Sequence, residues 1–360
     1  MCKRFITPCK DEGTFKNVMS FKYVRQIPKA KEILQKIPLP EALGKVKAAR
    51  DKEITSVFTG ATDKLVLIIG PCSAHDEEAM CDYVGRLAKI QEEVKDKLIL
   101  IPRIYTNKPR TTGIGYKGMA HQPNPLEEPN IVEGITAIRT MHIRALMESH
   151  LAAADEMLYP DNYAYLEDVL SYVAVGARSV ENQQHRLTCS GLGIPVGMKN
   201  PTSGDLEVMF NAVQAAQAPH MFNYTGWEVK TTGNPLTHCI LRGAVNQFGQ
   251  SIANYHFEDL IKVAKIYTER AFANPVMIVD TNHANSNKQF KEQPRITKEV
   301  MRSREHSKVL RKIVKGFMIE SFIEEGAQKA SENIYGKSIT DPCLGWKESE
   351  RLIRQLAELA

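Results

Sequence analysis

The seven cysteines of this 360-residue chain (Cys2, Cys9, Cys72, Cys81, Cys189, Cys239 and Cys343) include no C-x-x-C pair. An odd number without paired spacing argues against a disulfide framework or a structural zinc knuckle, and fits a reducing compartment. No stretch approaches the roughly 20 apolar residues of a membrane helix. The opening MCKRFITPCKDEGTF lacks the apolar centre of a secretory leader. The expectation is a soluble, cytoplasmic protein with no membrane partner. Long Lys/Arg blocks are missing too: 47 basic and 42 acidic side chains are scattered, for a net charge of +5. Nucleic acid is therefore not expected, while small anionic metabolites remain open as partners. There is no internal repeat and no low-complexity tract.

What is present is ordinary globular material, 43% hydrophobic and 25% charged. Two regions differ in pattern. Residues 1–60 read as an extension. Its second half predicts two amphipathic helices split by Ile37-Pro38-Leu39-Pro40, because proline interrupts a helix. From residue 61 onward, short apolar runs alternate with helix-like stretches: 65–70, 98–103, 152–157, 173–178, 194–199, 220–224, 239–243, 276–280 and 316–320. Short runs without polar alternation suit parallel strands buried on both faces, and alternation with helices suggests βα units. Eight such strands close naturally into a (β/α)8 TIM barrel. The ninth run opens MFNYTGWEVKTTGNP, which reads as a hairpin inserted before the sixth strand. An open doubly wound sheet is the alternative, weakened because no G-x-G-x-x-G follows the first strand.

In a barrel the C-terminal strand ends converge on one rim, where active sites sit. The residues at or just past those ends are Cys72, Arg103, Glu156, Arg178, Lys199, Arg242, His283 and Glu320. Each alone has a bland explanation as a core thiol, a capping arginine or a structural histidine. Eight in register do not. Arg103, Arg178, Lys199 and Arg242, with Lys108 and Arg110 of the adjoining KPRTT loop, would repel one another unless anions neutralise them. Guanidinium forks suit phosphates and carboxylates. Cys72, His283, Glu320 and Asp341 combine donor types that can bind a divalent transition metal, although their spacing alone does not establish one.

At these residues the chain resembles the class I 3-deoxy-D-arabino-heptulosonate 7-phosphate (DAHP) synthases. The matching stretches are IIGPCSAHD (68–76), IPRIYTNKPRTTGIGYKG (101–118), VGARSVENQQHR (175–186), PVGMKNPTSG (195–204), ILRG (240–243), DTNHANSNKQF (280–290), MIES (318–321) and YGKSITDPCLGW (335–346). The resemblance implies an eight-stranded barrel that joins phosphoenolpyruvate to erythrose 4-phosphate. It implies one divalent metal on Cys72, His283, Glu320 and Asp341, with Mn2+ first and Fe2+, Co2+ or Zn2+ as alternatives. Arg103, Arg178, Lys199 and Arg242 are then expected to grip phosphoenolpyruvate. Lys108, Arg110 and Thr111 are expected to meet erythrose 4-phosphate, with Lys108 and Glu156 as catalytic candidates. Relatives are dimers or tetramers, so a homodimer or homotetramer is expected.

The chain departs from the family pattern in places. The usual A-G-E reads Ala154-Asp155-Glu156, putting a carboxylate where glycine is common. The hairpin segment is short, and the loop after Glu156 places its proline differently, so no feedback effector is assigned. Two rival readings remain: a related synthase of the 3-deoxy-octulosonate 8-phosphate type, opposed by the KPRTT loop, and a non-catalytic barrel, opposed by the full set of candidate ligands.

Overall fold

Strand β1 (Leu65–Gly70) is LVLIIG, buried at every position. The same holds for β2 (Leu98–Pro102), β4 (Leu170–Val175), β5 (Val196–Lys199), β6 (Thr237–Leu241), β7 (Met277–Asp280) and β8 (Val314–Glu320). In β3 (Ala153–Glu156) only the last residue is partly open. The computed structural model describes residues 21–110 and 112–360. All eight strands are parallel, in the order β2-β1-β8-β7-β6-β5-β4-β3. A parallel bridge between Arg103 and Ala154, with Ile104 N–H donating to Ala154 O at 2.9 Å, joins β2 to β3 and closes the ring. The expected TIM barrel is therefore what the chain forms.

Burial on both faces has a direct cause. Side chains alternate along a strand, so each apolar run feeds two cores. Val66, Ile68, Ile99, Ile101, Ile240, Ile278 and Met318 fill the barrel interior. Their neighbours Leu65, Leu67, Ile69, Leu98, Leu100, Leu241 and Val279 face the surrounding helices. Gly197 makes the interior fit: a Cβ there would lie 2.3 Å from both Tyr172 Oη and Ile240. Strand β4 starts three residues before the apolar run that announced it. Ser171 and Tyr172 interrupt the apolar pattern, yet both are fully buried. The Ser171 hydroxyl donates to Asp51 and the Tyr172 hydroxyl contacts His238 Nε2 at 2.8 Å.

The ninth run is a hairpin, Met221–Tyr224 against Trp227–Lys230, lying between β5 and β6 and outside the barrel. A second small antiparallel ribbon, Ala244–Val245 with Ser251–Ile252, follows β6; its two-residue strands gave no sequence signal. Before the barrel come two helices, Ala30–Lys36 and Glu41–Phe58, separated at the prolines as expected. The longer one does more than decorate. Ile54, Val57 and Phe58 belong to the inner core, and the Phe58 ring lies 4.6 Å from that of His238, near the start of β6. Burying three such side chains contributes roughly 1.5–3 kcal/mol each. No helix among the described residues is long and apolar enough to cross a membrane.

Candidate active site at the C-terminal rim

The rim residues sit where the strands release them. Arg103 directly follows β2, Glu156 ends β3, Lys199 ends β5, Arg242 directly follows β6, and Glu320 ends β8. Cys72 is two residues past β1, and Arg178 and His283 are three residues past β4 and β7. His283 has a left-handed backbone (φ 51°), which histidine tolerates better than bulky residues do.

Three donors form a tight group. One oxygen or sulfur each from Cys72, Glu320 and Asp341 lies within 4.8 Å of the other two. The Cys72 thiol donates to Asp341 Oδ2 at 3.1 Å. His283 adjoins the group through Glu320, its Nε2 3.9 Å from Glu320 Oε1. Glu320 itself is 1% exposed, and its Oε1 is ion-paired with the buried Arg103 guanidinium. A sulfur, two carboxylates and an imidazole alongside make a donor set that suits a divalent transition ion.

Cations surround this group. The Lys108 ammonium touches the Cys72 sulfur and lies 3.2 Å from Asp341 Oδ2. The Arg103 guanidinium is buried, with Nη2 3.0 Å from Glu320 Oε1 and Nη1 donating to Pro71 O at 2.6 Å. It also lies 3.9 Å over the Tyr105 ring, a favourable cation–π placement. On the other side, Lys199 Nζ lies 2.9 Å from Asp280 Oδ2, and His283 Nδ1 is 2.9 Å from the same oxygen. Arg242 is mostly buried, and its Nη1 has no hydrogen-bond partner among the described residues. A guanidinium donor left buried and unmatched is what an incoming anion would satisfy.

The electrostatics follow from these neighbours. Burial pushes the Cys72 thiol up to about 12, with Glu320 adding to the rise and Lys108 opposing it. Burial works against the Lys108 charge, but Cys72, Asp341 and Glu320 outweigh it and hold its pKa above the usual lysine value. Asp341 and Glu320 go the other way. Burial would raise both, yet Lys108 chiefly for Asp341, and Arg103 and then His283 for Glu320, keep them below the ordinary carboxylate range. Burial likewise opposes the Asp280 charge, and His283 and Lys199 hold it ionised. Arg242 is lowered by burial, and the nearby Arg178 charge adds to the fall.

Not every predicted residue joins the cluster by direct contact. Arg110 donates from Nε to Tyr116 O at 2.8 Å, folding the loop onto itself. Glu156 contributes to the field at Arg242 from the C-terminal end of β3. Thr111 lies outside the described residues. Two neighbours of the cluster carry no sequence signal of their own. Asp280 links Lys199 to His283, and Asn282 donates to Glu320 Oε2 at 2.6 Å. Both lie in the D-T-N-H stretch, where the sequence points to the histidine.

This geometry coincides with clear kinship. A family model described as the DAHP synthetase I family matches residues 42–354. The phospho-2-dehydro-3-deoxyheptonate aldolase, Phe-sensitive, of Escherichia coli is 37% identical over 347 residues, covering 94% of this chain and 96% of that protein. The Trp-sensitive enzyme of Enterobacter agglomerans is 38% identical over 330 residues, covering 89% of this chain and 90% of its own length. The solved structure of phospho-2-dehydro-3-deoxyheptonate aldolase from Francisella tularensis superposes with a TM-score of 0.86 at 30% identity, over 94% of this chain and 98% of that one. With matches of this length at this identity, and a barrel of the same shape, the chain belongs to the DAHP synthetase I family.

Proposed function

We propose that this rim condenses phosphoenolpyruvate with erythrose 4-phosphate and water. The products are 3-deoxy-D-arabino-heptulosonate 7-phosphate and inorganic phosphate, in the first step of aromatic amino-acid biosynthesis. The reaction class is that of the DAHP synthases, an aldol-type transferase. The observation that carries the assignment is the pairing of a cation-lined rim with one compact thiol–carboxylate group. Arg103, Arg178, Lys199 and Arg242 take the phosphate and carboxylate of phosphoenolpyruvate. Lys108, Arg110 and Thr111 take the phosphorylated aldehyde. Cys72, Glu320, Asp341 and His283 hold one divalent ion, Mn2+ first, with Fe2+, Co2+ or Zn2+ also compatible with a sulfur ligand. When bound, that ion supplies Lewis-acid polarisation of the aldehyde and further charge neutralisation.

The protein's own groups then set the reaction up. The cations hold two anionic substrates together that would otherwise repel, and this proximity is a large part of the rate gain. Carbon 3 of phosphoenolpyruvate attacks the aldehyde carbon. Water adds at carbon 2, and the resulting hemiketal phosphate collapses to the ketone with loss of phosphate. Lys108, kept protonated by Cys72, Asp341 and Glu320, delivers a proton to the former aldehyde oxygen. Glu156 serves as the base that orients the attacking water.

Residues 61–360 carry the catalytic rim in this reading. The 1–60 extension and the hairpin mediate contacts in a homodimer or homotetramer; deleting residues 1–30 without changing the mass in light scattering would remove that role. The direct test of the activity is phosphate release from the two substrates, with Mn2+ and with chelator. Equal or better turnover of arabinose 5-phosphate would instead point to an octulosonate-type enzyme. Absence of release with either sugar would point to a non-catalytic barrel.

A further inference from the structure

Asp155 occupies a position with no role in the chemistry above. It is 3% exposed, one residue before Glu156 on β3. A carboxylate buried this deeply must be matched by donors, and its donors are informative. Oδ1 accepts from Thr106 N–H at 2.9 Å and from Glu156 N–H at 2.7 Å. Oδ2 accepts from the Thr106 hydroxyl. Behind it, His142 Nε2 from the helix Ile131–Ser149 lies 3.6 Å from Oδ2.

The backbone explains why a side chain is needed there. The β2–β3 pairing runs through the Arg103–Ala154 bridge and the Ile104 N–H to Ala154 O bond. The next donor in a parallel ladder would be Thr106 N–H, seeking a β3 carbonyl. It goes to the Asp155 carboxylate instead, which supplies the acceptor. Its Oδ1 thus bridges N–H groups of both segments, Thr106 beyond β2 and Glu156 at the end of β3. Thr106 is two residues before Lys108 and four before Arg110. The opposite side of the same segment is equally constrained: a Cβ on Gly118 would lie 2.4 Å from Thr106 O and 2.7 Å from Asn107 Cα. Ala120 N–H donates to Thr106 O at 3.1 Å, and Lys108 N–H to Lys117 O at 3.0 Å. The root of the loop is therefore clasped from both sides, and Asp155 is the polar half of the clasp.

We propose that Asp155 is a positioning residue that fixes the root of the Lys108–Arg110 loop through Thr106, and so sets the affinity for the phosphorylated aldehyde. This rests on the reading of that loop as the grip for erythrose 4-phosphate. Asp155→Ala removes every acceptor. Asp155→Asn keeps an oxygen for the two N–H groups and offers an amide to the Thr106 hydroxyl. Thr106→Val removes only the hydroxyl.

The test measures KM for each substrate in all three variants, together with hydrogen exchange of the loop amides. Losing the matched acceptor for several buried donors should raise the KM for erythrose 4-phosphate about tenfold in Asp155→Ala. The KM for phosphoenolpyruvate should stay within about twofold. Asp155→Asn should recover most of the loss, and Thr106→Val should fall between. Loop amides should exchange at least about tenfold faster in Asp155→Ala while those of β5 and β6 do not change. If Asp155→Ala does not fold, Asp155→Asn and Thr106→Val still order the result. Equal rises for both substrates, a fall in kcat with both KM values unchanged, or unaltered loop exchange would overturn the proposal. A wild-type protein inert toward both substrates would remove the reading of the rim, and the exchange measurement would then decide the clasp alone.

Discussion

Asp280→Asn is the substitution that most sharply separates a paired interior from a merely polar one. Asp280 is 1% exposed and Lys199 is 4% exposed. Their charged atoms are 2.9 Å apart. At an effective dielectric near 20, that separation corresponds to roughly 6 kcal/mol of attraction before desolvation is subtracted. Desolvation consumes much of this, so the pair adds little net stability, but breaking it strands a buried ammonium. The expected cost is about 3–5 kcal/mol. That is a large share of the roughly 5–15 kcal/mol by which proteins exceed their unfolded state. Oδ1 of Asp280 also accepts from Asn282 N–H at 3.1 Å, and asparagine preserves this, so the loss reports charge rather than shape. The double variant Asp280→Asn/Lys199→Met removes the stranded cation and should regain most of the stability. Urea unfolding of the four proteins of this cycle gives the coupling. Activity should stay at least about a hundredfold down in the stable double variant, because Lys199 is assigned to phosphoenolpyruvate. A single variant less than about 1 kcal/mol weaker than wild type, or a double variant as weak as the sum of the singles, would refute the argument.

Further outcomes are expected. Cys72→Ala should abolish chelator-sensitive turnover and weaken Mn2+ binding at least about a hundredfold in calorimetric titration, with the melting temperature little changed; chelator-resistant activity would remove the metal assignment. Arg110→Ala should raise the KM for erythrose 4-phosphate about tenfold and leave that for phosphoenolpyruvate nearly constant; the reverse would exchange the two substrate sites. Acid should act through His238, which burial depresses to about 4 against a partly opposing bond to Leu236 O. Its Nδ1 lies 2.9 Å from that carbonyl, and the Tyr172 hydroxyl 2.8 Å from Nε2, so the folded ring is neutral. Below pH ~6.5 the unfolded chain takes up a proton the native ring refuses, so stability falls with pH until about pH 4 and then levels. The size is roughly 3 kcal/mol. Urea midpoints measured from pH 7.5 to 4 should therefore decline less steeply in His238→Gln than in the wild-type protein, and identical slopes would contradict this.

The eight staves were legible because each is an apolar run without polar alternation, the mark of a strand covered on both sides. The hairpin was legible from Thr225-Gly226 between two short β-prone segments. The rim residues could be found by reading whatever follows each run. Other features were not local enough to read. Asp280 looked like the end of an apolar strand, and only the fold brings Lys199 against it. Asp155 was visible as an oddity, but its partner Thr106 lies 49 positions away across two strands. The start of β4 was hidden by Ser171 and Tyr172, whose hydroxyls are satisfied by Asp51 and His238 from distant segments. Amphipathicity announced the helix Glu41–Phe58 without saying what its apolar side would meet.

That helix bears on how the protein can be cut. Its last turn forms the floor of the barrel, opposite the catalytic rim, so the β-strands do not seal themselves. A shortened protein starting at residue 41 keeps the floor and should stay folded. One starting at residue 61 would leave His238, Tyr172 and Leu236 open to water from below, and should aggregate or demand a substitute stopper.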